Sequence, residues 1–134
     1  NGIIISKNWP LNNFKKLSEL LIKKYPNKLI VLIGDDGDKR HLNQEFNNPK
    51  IRNLIAKTTI SELIEILKNS SFIICHDSSI LHLSDSMKLK NLSLFGQSNY
   101  IKNKPYNSKS MTIKKDKMDD IKLVEVMDSI EKNM

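Results

Sequence analysis

An α/β fold, with one doubly wound parallel sheet of about six strands and helices on both faces, is what this sequence predicts. Three observations carry that expectation. Apolar periodicity switches repeatedly along the chain between short strand-like runs and helix-like spacing, the pattern of successive βα units. The strand-like runs, such as Ile3-Ile4-Ile5 and Leu29-Ile30-Val31-Leu32-Ile33, are apolar throughout and do not alternate, as expected of strands covered on both faces. Glycine and small polar residues follow several of these runs, where a parallel strand must turn into its crossover. At 134 residues the chain is sized for one core and one domain, and no internal repeat or long linker divides it.

The elements follow in order. After the Ile3–Ile5 strand, Pro10 suits a helix's first turn, and Phe14, Leu17, Leu20 and Leu21 recur on one face until Pro26 stops the helix. Leu29–Ile33 is the clearest strand, closed by the turn-rich Gly34-Asp35-Asp36-Gly37-Asp38. A short polar helix is expected over residues 39–46 and a third strand over 52–56. Thr59-Ile60-Ser61-Glu62 has the Thr-x-x-Glu form of a capping box ahead of Leu63, Ile64, Ile66 and Leu67, so a helix starts at about Ile60. Phe72–Cys75 reads as the fourth strand, Ser78–Met87 as a helix, Asn91–Phe95 as the fifth strand and Ser110–Ile113 as the sixth. Met118, Ile121, Val124, Met127 and Ile130 then form an amphipathic last helix, with Asp119 and Asp120 in its first turn.

Composition narrows the function classes. The net charge is +7, yet every basic residue except Arg40 and Arg52 is a lysine, and aromatic residues are 6%. Base readout and bidentate phosphate clamping favour Arg, and stacking needs aromatic platforms, so most of this charge reads as solvated surface and no nucleic-acid partner is expected. No apolar run approaches the ~18 residues of a membrane span and no export signal opens the chain, which predicts a soluble, cytoplasmic protein. A lone Cys75 inside an apolar strand forms no disulfide or zinc cluster and reads as a small buried hydrophobe. The chain opens at Asn1 without an initiating Met and enters a strand at once, as a piece of a longer protein would.

Open parallel sheets bind ligands at the carboxyl ends of their strands, which selects the loops at residues 6–10, 34–38, 76–82 and 96–100. Neither Gly-x-x-x-x-Gly-Lys-Ser/Thr nor Gly-x-Gly-x-x-Gly follows any strand, which argues against a P-loop or a standard dinucleotide domain. The densest polar cluster is His76-Asp77-Ser78-Ser79-Ile80-Leu81-His82. Ser78 and Ser79 would stand at a helix N-terminus, where free N–H groups and the dipole suit an anion, and His82 falls on the same side one turn on. The same residues are also compatible with a plain cap at Asp77 or Ser78 and a half-buried, satisfied His82.

Asp77-Ser78-Ser79-x-x-His82 resembles the Asp-Ser/Thr-Gly-x-x-His signature of the glycosyltransferase family 9 heptosyltransferases of bacterial lipopolysaccharide assembly. Four further segments agree in order across residues 3–100: Lys7-Asn8-Trp9-Pro10 resembles the family's Lys-x-Trp-Pro, Leu32-Ile33-Gly34 its strand followed by glycine, Lys57-Thr58-Thr59-Ile60-Ser61-Glu62-Leu63 the turn into its next helix, and Leu94-Phe95-Gly96-Gln97-Ser98 its strand ending in Gly-Pro-Thr. The resemblance implies half of a GT-B fold, a single C-terminal, Rossmann-like domain over 1–134 that binds a nucleotide-sugar donor of the ADP-heptose kind. It implies that the N-terminal acceptor domain lies outside this chain and supplies the general base, so no catalytic residue is assigned here. It further implies inverting transfer with no metal and no cofactor, to a lipid-linked or glycan acceptor. By this correspondence Lys7 pairs with the diphosphate, Ser78, Ser79 and His82 bind phosphate or sugar, Asp77 orients the donor sugar or the loop, Asp38 holds a ribose hydroxyl, Thr58 lines the base pocket, and Gly96 and Ser98 belong to the donor-binding set.

Departures from the family pattern keep other readings open. Ser79 stands where the family has Gly, only Ser6 remains of the hydroxyl-rich loop before Lys7, and Gln97-Ser98 lacks the family's proline. A degenerate or stand-alone nucleotide-sugar-binding module is therefore the alternative, and a Lys-rich nucleic-acid-binding domain the more distant one. Lys102, Lys104, Lys109, Lys114, Lys115 and Lys117 read as a solvated face, or as a weak peripheral contact with the anionic inner membrane at its cytoplasmic side.

Overall fold

In a computed structural model the chain is described at residues 2–6, 11–34, 48–54, 57–76, 79–96, 110–117 and 120–133. Among these residues six strands form one sheet: β1 (Gly2–Ser6), β2 (Leu29–Ile33), β3 (Ile51–Asn53), β4 (Ser70–His76), β5 (Asn91–Phe95) and β6 (Ser110–Lys114). Four helices accompany them: α1 (Leu11–Lys24), α2 (Ile60–Lys68), α3 (Ser79–Ser86) and α4 (Leu123–Asn133). The strand order is β3-β2-β1-β4-β5-β6 and every neighbouring pair is parallel. The chain thus winds outward from β1 to β3, returns to place β4 beside β1, and winds outward again the other way. That is the doubly wound sheet expected from the sequence.

Alternation along the apolar strands builds two cores. Ile3, Ile5, Ile30, Leu32, Phe72, Ile74, Leu92 and Leu94 pack with Leu17 and Leu21 of α1 and with Val126, Met127 and Ile130 of α4. Ile4, Val31, Ile33, Ile73, Cys75 and Phe95 face the other way, onto Leu67 of α2 and Ile80 and Leu81 of α3. A strand with helices on both sides has no face to give to water, which explains the unbroken apolar runs. At about 25 cal/mol per Å² of apolar surface removed from water, such double-sided burial is the main favourable term in this fold.

Local chemistry sets the helix ends. α1 stops at Lys24, two residues before Pro26, and Lys24 Nζ reaches Glu131 Oε1 of α4 at 2.8 Å; this contact holds the Lys24 ammonium above its usual range. α3 closes in a Schellman motif: Leu89 N–H donates to Ser84 O at 2.9 Å, Lys88 N–H donates to Asp85 O at 3.0 Å, and Lys88 takes the left-handed φ of 57°.

Several elements differ in detail from expectation. Leu20, placed on the buried face of α1, is 40% exposed, because the stripe runs through Leu17, Ser18 and Leu21. The third strand begins at Ile51 and ends at Asn53, although Leu54 N–H still donates to Leu32 O at 2.9 Å. The last helix begins only at Leu123: Ile121 packs into the core ahead of it, Val124 is 64% exposed, and Glu125, not Asp120, is the acid of its first turn. The expected helix over 39–46, Pro10, Met118 and Asp119 lie outside the described residues.

Candidate functional site

The carboxyl edge of the sheet is where those expected site residues that are described stand. β1 and β4 are neighbours, with Ile5 opposite Ile74, yet their following helices lead to opposite sides of the sheet, α1 to β2 and α3 to β5. This is the topological switch point, where an open α/β sheet leaves a crevice for a ligand. Lys7 follows directly on Ser6 at the end of β1, and Asp77 and Ser78 join His76 of β4 to Ser79 of α3. Lys7, Asp38, Asp77, Ser78 and Ser98 themselves lie outside the described residues.

Four of the expected residues are described, and all stand at this edge. Ser79 is the first residue of α3, and His82, exposed, is three residues on, a spacing that shares a helix face. Thr58 is half-buried immediately before the cap of α2. Gly96 is buried directly beyond β5. Ser79 lies in helical backbone, and among the described non-glycine residues only Lys88 has a positive φ. The residue in place of the family's glycine thus needs no left-handed conformation; what it adds is the volume of a Cβ and a hydroxyl.

Two helix N-termini at this edge are finished differently. At α2 the Thr59 N–H donates to Glu62 Oε1 at 2.9 Å and the Glu62 N–H donates to Thr59 Oγ1 at 3.1 Å, the complete capping box read from the sequence. These bonds, first the Thr59 backbone N–H and then its side chain, hold the Glu62 carboxyl below its usual range. The approach to this cap is tied down by the Lys57 N–H donating to Leu54 O at 3.0 Å and Lys57 Nζ donating to Asn53 O at 3.2 Å. α3 has no acidic residue in its first turn, and its later hydroxyls turn back on the helix, Ser84 Oγ to Ile80 O at 2.7 Å and Ser86 Oγ to Leu83 O at 2.9 Å. Among the described residues the first turn of α3 thus holds no acid to offset the positive end of its dipole, an arrangement that suits an approaching anion.

Two further side chains matter. Cys75 is buried, desolvation pushes its thiol well above the ordinary range, and its Sγ lies 3.9 Å from Leu92 O, so it is a core residue and no nucleophile. Lys114, counted in the sequence among surface lysines, donates from Nζ to Gly96 O at 2.8 Å and to Lys115 O at 2.8 Å. Nothing local marks it, because the contact depends on β6 lying in register with β5, Phe95 opposite Lys114. Among the described residues no group of three His, Cys, Asp or Glu side chains comes together as a metal site requires.

Comparison with known proteins places the fold and the family. The model of glycosyltransferase family 9 (heptosyltransferase) matches residues 3–132. Among curated proteins, a lipooligosaccharide heptosyltransferase 2 of Haemophilus influenzae is 23% identical over 116 residues, covering 81% of this chain and 33% of its own length. The corresponding protein of Campylobacter jejuni is 25% identical over 111 residues, covering 78% of this chain and 34% of its own. Among solved structures, E. coli ADP-heptose lipopolysaccharide heptosyltransferase II superposes with a TM-score of 0.85 at 20% identity, over 98% of this chain and 46% of that one. E. coli heptosyltransferase WaaC with ADP gives 0.82 at 17% identity, over 99% and 44%. The chain spans about a third of the length of these curated relatives and under half of the solved ones.

Proposed function

Because the chain belongs to glycosyltransferase family 9, we propose that it is the donor-binding half of an inverting, metal-independent glycosyltransferase that takes an ADP-heptose-like sugar nucleotide and acts in lipopolysaccharide or surface-glycan assembly. The observation that carries the reading is the first turn of α3, which holds no acidic residue, at the switch point beside the exit of β1 that leads to Lys7. A diphosphate brings two or more negative charges, which this helix end and the Lys7 ammonium are suited to meet. Solved relatives carry ADP and ADP-2-deoxy-2-fluoro heptose, ligands of the same class.

In this mechanism an acceptor hydroxyl attacks the anomeric carbon, its bond to that carbon forms as the bond to the diphosphate oxygen breaks, and ADP leaves with the electron pair. The proton passes to a general base that belongs to the acceptor half, outside residues 1–134. Protein cations and helix N–H groups stabilise the charge that builds on the leaving diphosphate. Ser78, Ser79 and His82 contact phosphate or sugar, Asp77 orients the donor, Asp38 takes a ribose hydroxyl, Thr58 lines the base pocket, and Gly96 and Ser98 close the site. The proposed place of action is the cytoplasm, at the inner face of the membrane; among the described residues no helix is long and apolar enough to cross one.

Calorimetric titration with ADP and UDP tests the reading. ADP should bind, and Lys7→Ala and His82→Ala should each weaken it by about tenfold, the size of losing a charge-assisted contact. No binding by the wild type, or variants indistinguishable from it, would overturn the assignment. Ser79 in the family's glycine position favours a second reading, a binding module without turnover. It predicts ADP binding with no sugar transfer even when the acceptor half is present.

A further inference from the structure

We propose that Lys114 is a positioning residue of the donor site, holding the backbone where β5 ends at Gly96; the inference rests on the donor-site reading above. Lys114 is the last residue of β6, at the sheet's outer edge, and its ammonium donates two hydrogen bonds of 2.8 Å, to the carbonyls of Gly96 and Lys115. The ladder itself runs one residue past the strand, with the Lys115 N–H donating to Phe95 O at 3.0 Å. Main-chain and side-chain bonds from β6 therefore grip two successive carbonyls of the neighbouring strand, Phe95 and Gly96.

The choice of residue follows from the place. Glycine is the most permissive residue in its torsions, so a strand that ends at Gly96 does not by itself fix the peptide unit through which the chain leaves β5. An outside donor supplies that restraint. A neutral surface side chain would be held weakly at an exposed edge, whereas an ammonium makes charge-assisted bonds and has three N–H groups to spend on more than one carbonyl. Ordinary surface lysines leave their heads in water; Lys114 is exposed, yet its head turns to the carbonyl of the neighbouring chain segment at Gly96. Among the described residues no carboxylate forms an ion pair with it, unlike Lys115, which lies 3.4 Å from Glu125 Oε2. The held carbonyl lies just beyond β5, the strand next to β4, two residues past Leu94, which pairs with His76 at the end of β4. A displaced Gly96 would therefore alter the wall of the crevice itself.

The test compares the wild-type protein with Lys114→Met, which keeps the apolar stem and removes the donors, and Lys114→Arg, which restores donors. Backbone amide exchange in the peptide covering residues 93–100 should accelerate about threefold to tenfold in Lys114→Met, return towards wild type in Lys114→Arg, and stay unchanged in β1 and α2. ADP affinity should fall by a similar factor in Lys114→Met and recover in Lys114→Arg, at an unchanged thermal midpoint. Unchanged exchange overturns the restraint. Faster exchange with undiminished ADP affinity overturns its role in the donor site. A wild type that fails to bind ADP overturns the donor-site reading, a result distinct from wild type and Lys114→Met binding ADP equally well.

Discussion

The N-termini of α2 and α3 stand at the same edge of one sheet and have opposite chemistry. α2 satisfies its own first turn: Thr59 and Glu62 exchange two hydrogen bonds, and the Glu62 carboxylate already meets the helix dipole. α3 begins at Ser79 with no acid in its first turn, and its apolar residues Ile80 and Leu81 are buried against the sheet. The difference teaches that a helix whose first turn carries its own carboxylate has its dipole already met, whereas one without leaves room there for an outside anion. Both helices are anchored from below by apolar burial, so the contrast concerns charge at the rim and not the strength of the scaffold.

The contrast breaks most sharply if α3 is given what α2 has. Ser79→Asp should lower ADP affinity by about tenfold to a hundredfold through like-charge repulsion, while the added first-turn carboxylate leaves the thermal midpoint unchanged or slightly higher. Calorimetry and thermal melting of the one variant read both quantities, and a variant that binds ADP as well as wild type would count against an anion at α3. Next in size, Thr59→Ala should cost about 1 kcal/mol of stability in denaturant unfolding, the usual loss for a cap, and leave ADP affinity untouched. An equal loss of ADP binding would show that the two termini are not separate.

The smallest effect is a pH dependence. Thr59 holds the Glu62 carboxyl below its usual range, so the folded value lies under the unfolded one of about 4.3. A depressed carboxyl contributes stability that is fully present above the unfolded value and is lost as the pH falls through the folded one. The midpoint of the wild type should therefore exceed that of Glu62→Gln at neutral pH, and the gap should narrow in the acid range below about pH 4.3. A gap that stays constant down to pH ~3 would remove the carboxylate from the account of α2.

What was legible in the sequence was what is local. Thr59-x-x-Glu62 places donor and acceptor within one helical turn, and both bonds are present. Leu29–Ile33 and Asn91–Phe95 form strands with the expected bounds, because an apolar run between turn residues has few other uses. Leu20 and Val124 fall outside the buried stripes that spacing alone predicts, because a helix's buried face is set by the layer beneath it, which admits Ser18 in one case and reaches back to Ile121 in the other. For the site, the family-like segments directed attention to the carboxyl edge, and Thr58, Ser79, His82 and Gly96 do stand there. Lys114 was invisible as anything but a surface charge, since its bond to Gly96 crosses between strands whose register no short window encodes.

The outer rims of the sheet bear on how the protein behaves when crowded. β3, at one rim, is only three residues long and carries exposed Arg52; β6, at the other, ends in Lys114 and runs on into exposed Lys115. A long, uncharged rim would offer its free N–H and C=O groups as a template to a neighbouring molecule. Shortness on one side, and on the other an end whose lysines already engage neighbouring carbonyls and Glu125, make poor templates, so concentrated preparations of the folded protein should resist edge-to-edge fibril growth despite the strongly apolar strands between them.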